Sequence, residues 1–145
     1  MSDIDDFDLQ DFLPYLLNQA AEASSLAFHQ IYRERYGMLR TEWRVLFHLG
    51  RYGDMTASDI ATRAKMHKTK ISRAVSALED RRFLTRSRRA EDRRQEMLSL
   101  TAAGRVAYQD LRGEAQRYNA EMTQALGVTD ARMLQAVLRR LGGIG

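Results

Sequence analysis

Cysteine is absent from this 145-residue chain. That excludes a disulfide framework, a thiol nucleophile and any thiol-based redox sensing. Proline occurs once, at Pro14, and no Gly/Ser-rich linker or low-complexity stretch interrupts the chain, so a continuous fold is expected. The sequence has no run of about 18 apolar residues of the kind that spans a bilayer. The N-terminus, MSDIDDFD, is acidic where a secretory signal would be basic. These absences point to a soluble, cytoplasmic protein with no membrane partner. Catalytic signatures are missing as well: there is no glycine-rich phosphate loop, no H-E-x-x-H pair and no G-x-S-x-G elbow. Of the three histidines, His67 reads as a cap or a phosphate contact, and His29 and His48 have no third ligand at a metal-binding spacing. No cofactor, no metal and no enzymatic activity are therefore expected.

What the chain does have is a charge asymmetry. From Arg63 to Arg94 there are twelve Lys or Arg against four Asp or Glu, a net of +8, while the remainder carries −4. A basic module on an acidic body is the electrostatic footprint of a protein that neutralises nucleic-acid phosphates, although a charge run is more often only a solvated face.

The arrangement inside that module narrows the choice. Thr56 followed three residues later by Asp59 is a capping-box-like start, and Ile60, Ala61 and Ala64 continue it as a helix over about 56–65. After a break at Met66 and His67, Ile71, Val75 and Leu78 predict a second helix over about 68–81 with one face toward a core. Its other faces carry Lys68, Thr69, Lys70, Ser72, Arg73 and Ser76, donors suited to base edges and phosphate oxygens in a major groove. Two short helices joined by a tight turn make a helix-turn-helix. Phe83–Thr85 and Met97–Leu100 then suggest two strands around the basic tip RSRRAEDRRQ, a hairpin or wing.

Together WRVLFHLG, SDIATRAKMHKTKISRAVSALEDRRFLTR and EDRRQEMLSLTAAG resemble a winged-helix regulator of the MarR family, over about Leu39 to Gly104. The D-R-R at the wing tip and the L-S-L-T-x-x-G exit are its most specific elements. The resemblance implies a mainly α fold (α+β), a winged helix-turn-helix with long N- and C-terminal helices forming a dimerisation region. The expected division is 1–38 for an N-terminal dimerisation helix, 39–101 for the DNA-binding region and 102–145 for C-terminal dimerisation helices. In the family the second Arg of the wing motif enters the minor groove and its Asp braces it. By matching, these are Arg94 and Asp92, which leaves Arg93, Arg88 and Arg89 for phosphates. The sequence departs from the family at Arg82, where relatives commonly have Gly after the recognition helix.

The flanks suit that reading. Phe12, Leu13, Leu16, Leu17, Ala20, Ala23, Ala27 and Ile31 are spaced as one long amphipathic helix with Pro14 in its first turn and Gly37 at its end. Thr41 is the expected N-cap of the next helix, through Trp43, Leu46, Phe47 and Leu49. Tyr108, Leu111, Ala115, Tyr118, Met122 and Ala125 form a heptad-like seam after Thr101, and Thr129 is the expected cap of a final helix. Two long flanks exceed what a small winged helix needs for its own core, so pairing with a second copy is expected, with two recognition helices roughly 34–36 Å apart on an inverted repeat of double-stranded DNA.

The family commonly binds small anionic or aromatic effectors in a crevice between the dimer helices and the winged helix. Ser25 with His29, and Arg44 with His48, lie one helical turn apart and are the candidate effector ligands. The alternative for Arg44 and the histidines is ordinary interhelical pairing. The functional expectation is a transcriptional regulator, a homodimeric repressor released by an effector such as an aromatic carboxylate. The alternatives are an effector-independent architectural DNA-binding protein and a protein-interaction adaptor.

Overall fold

The structure, a computed structural model, describes residues 6–89 and 92–144, with the backbone alone for Arg89 and residues 92–95. A 3₁₀ turn, Leu9–Asp11, leads into α1 (Leu13–Tyr36). Pro14 sits in the first turn of α1, where its missing N–H costs little, and Gly37 ends the helix in the left-handed region at φ 63. α2 spans Arg40–Tyr52. Its N-cap is Leu39, not Thr41, which lies inside the first turn. Met38 is completely buried just before it, and seating that side chain in the core decides where the chain turns into the helix, ahead of local cap preference.

The helix-turn-helix follows as anticipated. β1 (Met55–Thr56) precedes α3 (Ala57–Ala64), whose first turn is closed by a full Thr56/Asp59 capping box. Lys65, at φ 54, ends α3, and α4 (Lys68–Asp80) begins after His67, whose ring accepts a 3.1 Å hydrogen bond from the Thr69 N–H. Arg82, at φ 64, occupies the left-handed position after α4 without the conformational freedom of a glycine.

The wing is longer than its apolar residues suggested. β2 runs Leu84–Arg89 and β3 runs Asp92–Leu100, because backbone pairing continues into the basic residues. Phe83 stands outside β2 and donates its N–H to Leu78 O. The sheet has the order β1-β3-β2, all antiparallel, with Met55 opposite Leu98. β1 escapes a reading by alternation, since two residues show no period.

α5 (Ala102–Leu126) begins at the L-S-L-T-x-x-G motif, whose logic is now visible. Thr101 Oγ1 accepts from the Gly104 N–H at 3.0 Å and donates to Arg82 O at 2.6 Å, while the Thr101 N–H donates to Phe83 O. Any Cβ on Gly104 would fall 1.9 Å from that same Phe83 oxygen, so only glycine lets the helix start against the end of the recognition unit. α6 (Val128–Gly142) completes the chain. Gly127 is its N-cap, and Thr129 lies within the first turn.

The core lies between α2, α3, α4, the sheet and the first half of α5, with Val45, Leu46, Ile60, Ile71, Leu78, Leu98 and Leu111 all at or below 1% exposure. Four of the six α5 seam residues are spent on this core: Tyr108 and Leu111 are buried and Ala115 and Tyr118 pack against it, which leaves Met122 and Ala125 more open. α6 buries only Ala131 and leaves Met133, Leu134, Val137, Leu138 and Leu141 exposed. Phe7, Leu9, Phe12, Leu13 and Leu16 near the N-terminus are exposed too. No helix among the described residues is long and apolar enough to cross a membrane.

Candidate nucleic-acid interface and effector crevice

α4 divides its residues sharply. Ile71, Ala74, Val75 and Leu78 are buried, and Lys68, Thr69, Lys70, Ser72, Arg73 and Ser76 are all exposed. Five of the six exposed residues crowd the N-terminal half, the end from which a recognition helix reaches base edges. Ser76 differs from the others, because its Oγ accepts from Arg86 Nη2 at 3.0 Å. In the wing, Arg88 is two-thirds exposed and lies 3.5 Å from Glu96. The side chains of Arg89, Asp92, Arg93 and Arg94, which carry the expected minor-groove contact, lie outside the described residues.

The four candidate effector ligands do not converge on one point. Ser25, with Ser24, Phe28, Tyr32, Arg40, Trp43, Arg44 and Tyr118, lines a crevice of about 200 Å³ between α1, α2 and α5. Arg44 and His48, with Trp43, Phe47, Arg51 and Tyr52, line a separate groove of about 310 Å³ along α2. His29 belongs to neither set of walls; its Nδ1 shares a 2.9 Å hydrogen bond with the Tyr32 hydroxyl. His48 Nδ1 is spent on the Arg44 carbonyl at 2.7 Å. Each histidine thus has its Nδ1 engaged within its own helix. Among the described residues no group of three carboxylates and histidines could hold a metal ion.

Arg40 is a crevice residue that reasoning from the sequence missed. It lies one turn before Arg44, so the same i,i+4 spacing that paired Arg44 with His48 also places Arg40 on a shared face. Its guanidinium reaches Ser25 Oγ at 3.2 Å and Glu22 at 3.4 Å. Tyr32, behind it, has its hydroxyl pKa raised, since burial outweighs the opposing influence of Arg40 and Arg44. The hydroxyl is thus held neutral. Across the crevice, Tyr118 donates to the Ser24 carbonyl, and Trp43 stacks on Tyr32 at 5.8 Å between ring centres. Trp43 Nε1 is buried and has no hydrogen-bond partner among the described residues. A small crevice with two guanidiniums, a hydroxyl and aromatic walls suits a planar anion.

The C-terminal turn of α1 ties these parts to the recognition unit. Arg35 bonds Asp110 at 3.0 Å and Glu114 at 3.3 Å, and the Tyr36 hydroxyl donates to Asp110 at 2.6 Å. Burial first, and then the bond to Asp110, push the Tyr36 hydroxyl up to about 12. The Asp110 carboxyl is lowered, mainly by the Tyr36 bond. On the other side, Arg81 at the end of α4 donates to the Tyr36 carbonyl, and Gly37 is where a Cβ would lie 3.1 Å from its guanidinium. Arg81 also stands 3.7 Å from Glu42, which is 5% exposed. That separation is an ion pair but too long for a hydrogen bond, which is why Glu42 Oε1 accepts none.

Comparison with known proteins matches this arrangement. The model of the MarR family matches residues 36–95. A MarR family transcriptional regulator of Silicibacter pomeroyi, SPO1453, superposes with a TM-score of 0.83 at 29% identity, covering 95% of this chain and 98% of that one. NadR, in a structure with 4-hydroxyphenylacetate, gives a TM-score of 0.73 at 25% identity over 89% of this chain and 91% of its own. YwoH of Bacillus subtilis, an uncharacterised HTH-type transcriptional regulator, is 25% identical over 89 residues, 61% of this chain. The chain spans 64% of the length of that curated relative. A helix-turn-helix with an exposed basic face, a two-stranded wing, the L-S-L-T-x-x-G exit and agreement with SPO1453 over 95% of this chain lead to one conclusion: the chain has the winged-helix fold of MarR family transcriptional regulators and resembles them in sequence through residues 36–95.

Proposed function

We propose that this protein is a homodimeric repressor that reads an inverted repeat with α4 in the major groove and the wing in the adjacent minor groove. The observation that carries the reading is the face of α4. Five donors, Lys68, Thr69, Lys70, Ser72 and Arg73, are exposed together, while every apolar residue of the helix but Ala77 is buried. Phosphate contacts from such residues supply affinity, and contacts to base edges supply sequence choice. Support for the dimer comes from the large apolar residues left exposed along α6 and at the start of α1, which a second copy would cover.

The effector is assigned to the crevice of Ser25, Arg40, Trp43, Arg44 and Tyr118, and its chemistry to a small aromatic carboxylate. The carboxylate would take Arg40 or Arg44, and the ring would lie against Trp43 and Phe28. Binding of 4-hydroxyphenylacetate by NadR is consistent with that class of ligand.

The test is selection of a randomised duplex pool at about 0.15 M salt, a concentration at which phosphate contacts alone bind weakly. Recovery of an inverted repeat with half-sites about one helical turn apart supports the dimeric reader. Release by aromatic carboxylates from wild type but not from an Arg40→Met/Arg44→Met variant places the effector. Retention with no enriched sequence would sink the specific-repressor reading, and a monomer in sedimentation at micromolar concentration would sink the dimer.

A further inference from the structure

The wing holds a basic residue whose side chain is turned away from the groove-reading role of its neighbours. Arg86 lies on β2 between Leu84 and Arg88, and alternation puts these three on one face of the strand. Leu84 is buried on that face, and Arg86 pairs across the sheet with Leu98, also buried. Arg86 therefore stands where the core ends, between the sheet and α4. All three of its outer nitrogens are engaged. Nε donates to Glu79 Oε1 at 3.1 Å, Nη2 to Ser76 Oγ at 3.0 Å and Nη1 to Glu96 Oε2 at 3.4 Å. Ser76 and Glu79 are one turn apart on α4, and Glu96 is on β3, so one planar guanidinium joins the recognition helix to both strands of the wing.

We propose that Arg86 is a positioning residue that fixes the angle between α4 and the wing, so that the two grooves are read in one register. The inference rests on the DNA-binding reading above. A planar fork with its nitrogens in fixed directions can hold three partners at set angles, which a lysine ammonium on a flexible stem cannot. Glu79 and Glu96 make sense in the same way. They place negative charge within a face meant to approach phosphates, which opposes binding unless they hold something that binding needs more.

That opposition gives the experiment its sign. Wild type, Arg86→Gln, Arg86→Lys, Glu79→Gln and the Arg86→Gln/Glu79→Gln pair are titrated against the duplex recovered by selection, over a range of salt. If Arg86 braces the wing, Glu79→Gln weakens specific binding about five- to tenfold despite removing a negative charge, a loss comparable to one ordinary net hydrogen bond. Arg86→Gln gives the same loss, the pair is no worse than either alone, Arg86→Lys does not restore binding, and the slope of log affinity against log salt is unchanged. If Arg86 were a phosphate contact, Arg86→Gln would reduce that slope by about one and Glu79→Gln would tighten binding. Either result overturns the proposal. Thermal unfolding of each variant reports folding, and Glu79→Gln, which keeps Arg86, decides the matter even if Arg86→Gln does not fold. Failure of wild type to bind any duplex would sink the DNA-binding reading itself, a different outcome from tighter binding by Glu79→Gln.

Discussion

Arg81→Met is the substitution whose cost follows most directly from the structure. Methionine keeps much of the apolar stem and removes the charge. Glu42, 5% exposed, then loses the one cation that lies within ion-pair distance among the described residues, and the Tyr36 carbonyl at the end of α1 loses its donor. Leaving a buried carboxylate without its partner costs about 3–5 kcal/mol when the pair is fully enclosed. Arg81 has 39% of its side chain exposed and stands 3.7 Å from the carboxylate, so the lower end of that range applies. The lost bond to Tyr36 adds about 1 kcal/mol, part of which water restores. The expected destabilisation is about 3 kcal/mol, a fall in melting temperature of roughly 6–12 °C for a chain of this size. Unfolding is followed by circular dichroism at one fixed protomer concentration, because the proposed dimerisation would make the midpoint depend on concentration.

Glu42→Gln is the control that isolates the charge. A neutral amide at position 42 needs no cation, so in that background Arg81→Met should cost only about 1 kcal/mol, a coupling of about 2 kcal/mol between the two positions. Additive effects, or a cost below about 1 kcal/mol for Arg81→Met alone, would show that water already solvates Glu42 and would refute the reasoning.

Arg82→Gly should stabilise the fold by about 0.5–1 kcal/mol in denaturant unfolding, because relief of the left-handed backbone exceeds the entropy that glycine adds to the unfolded chain. Gly104→Ala should destabilise it by about 3 kcal/mol or prevent folding, since backbone, not a movable side chain, meets the new methyl; a neutral effect in the same assay would contradict the close approach of Phe83. The Tyr36 hydroxyl, held up to about 12, is raised above its value of 10.0 in the unfolded chain. Its stabilising contribution is therefore full below about pH 10 and lost as pH rises toward 12. Tyr36→Phe should flatten stability against pH over that interval, which tyrosinate absorbance and unfolding midpoints measure together. At the acid end Asp110, whose pKa is lowered, contributes above the ordinary carboxylate range and loses its contribution as pH falls through its folded value.

The parts of the fold that were legible in the sequence are those whose signal is local. Thr56 and Asp59 announce a helix start because both partners of the capping box lie within one turn. α4 was legible because Ile71, Val75 and Leu78 repeat at the helical period and leave the donors on the other side. The caps of α2 and α6 were not, since burial of Met38 and the conformation of Gly127 outweighed the hydroxyls of Thr41 and Thr129. The crevice was half legible. Ser25 and Arg44 line it, but His29 and His48 turn to partners on their own helices, a choice of rotamer and packing that spacing does not encode. Arg86 and Arg81 were hidden among twelve basic residues, because what separates a brace from a phosphate contact is the carboxylate it meets across the fold.

Those two arginines also bear on how an effector could act at a distance. The walls of the crevice come from α1 through Ser25 and Tyr32, and from α2 through Arg40, Trp43 and Arg44. The contacts of Arg81 come from the same two helices, through the Tyr36 carbonyl, one turn after Tyr32, and Glu42, two residues after Arg40. A ligand that changes the spacing of α1 and α2 therefore changes the seat of the residue that ends the recognition helix. Such coupling is worth typically about 1–3 kcal/mol. The Arg81 contacts are worth about as much, so they are sufficient to carry it. Tight binding alone does nothing, because a ligand shifts the orientation of α4 only by the difference in its affinity for the two arrangements. Arg40 fits that requirement. It is held by Glu22 and Ser25, and under the proposed effector reading a carboxylate entering the crevice would compete for it and draw the start of α2 away from α1.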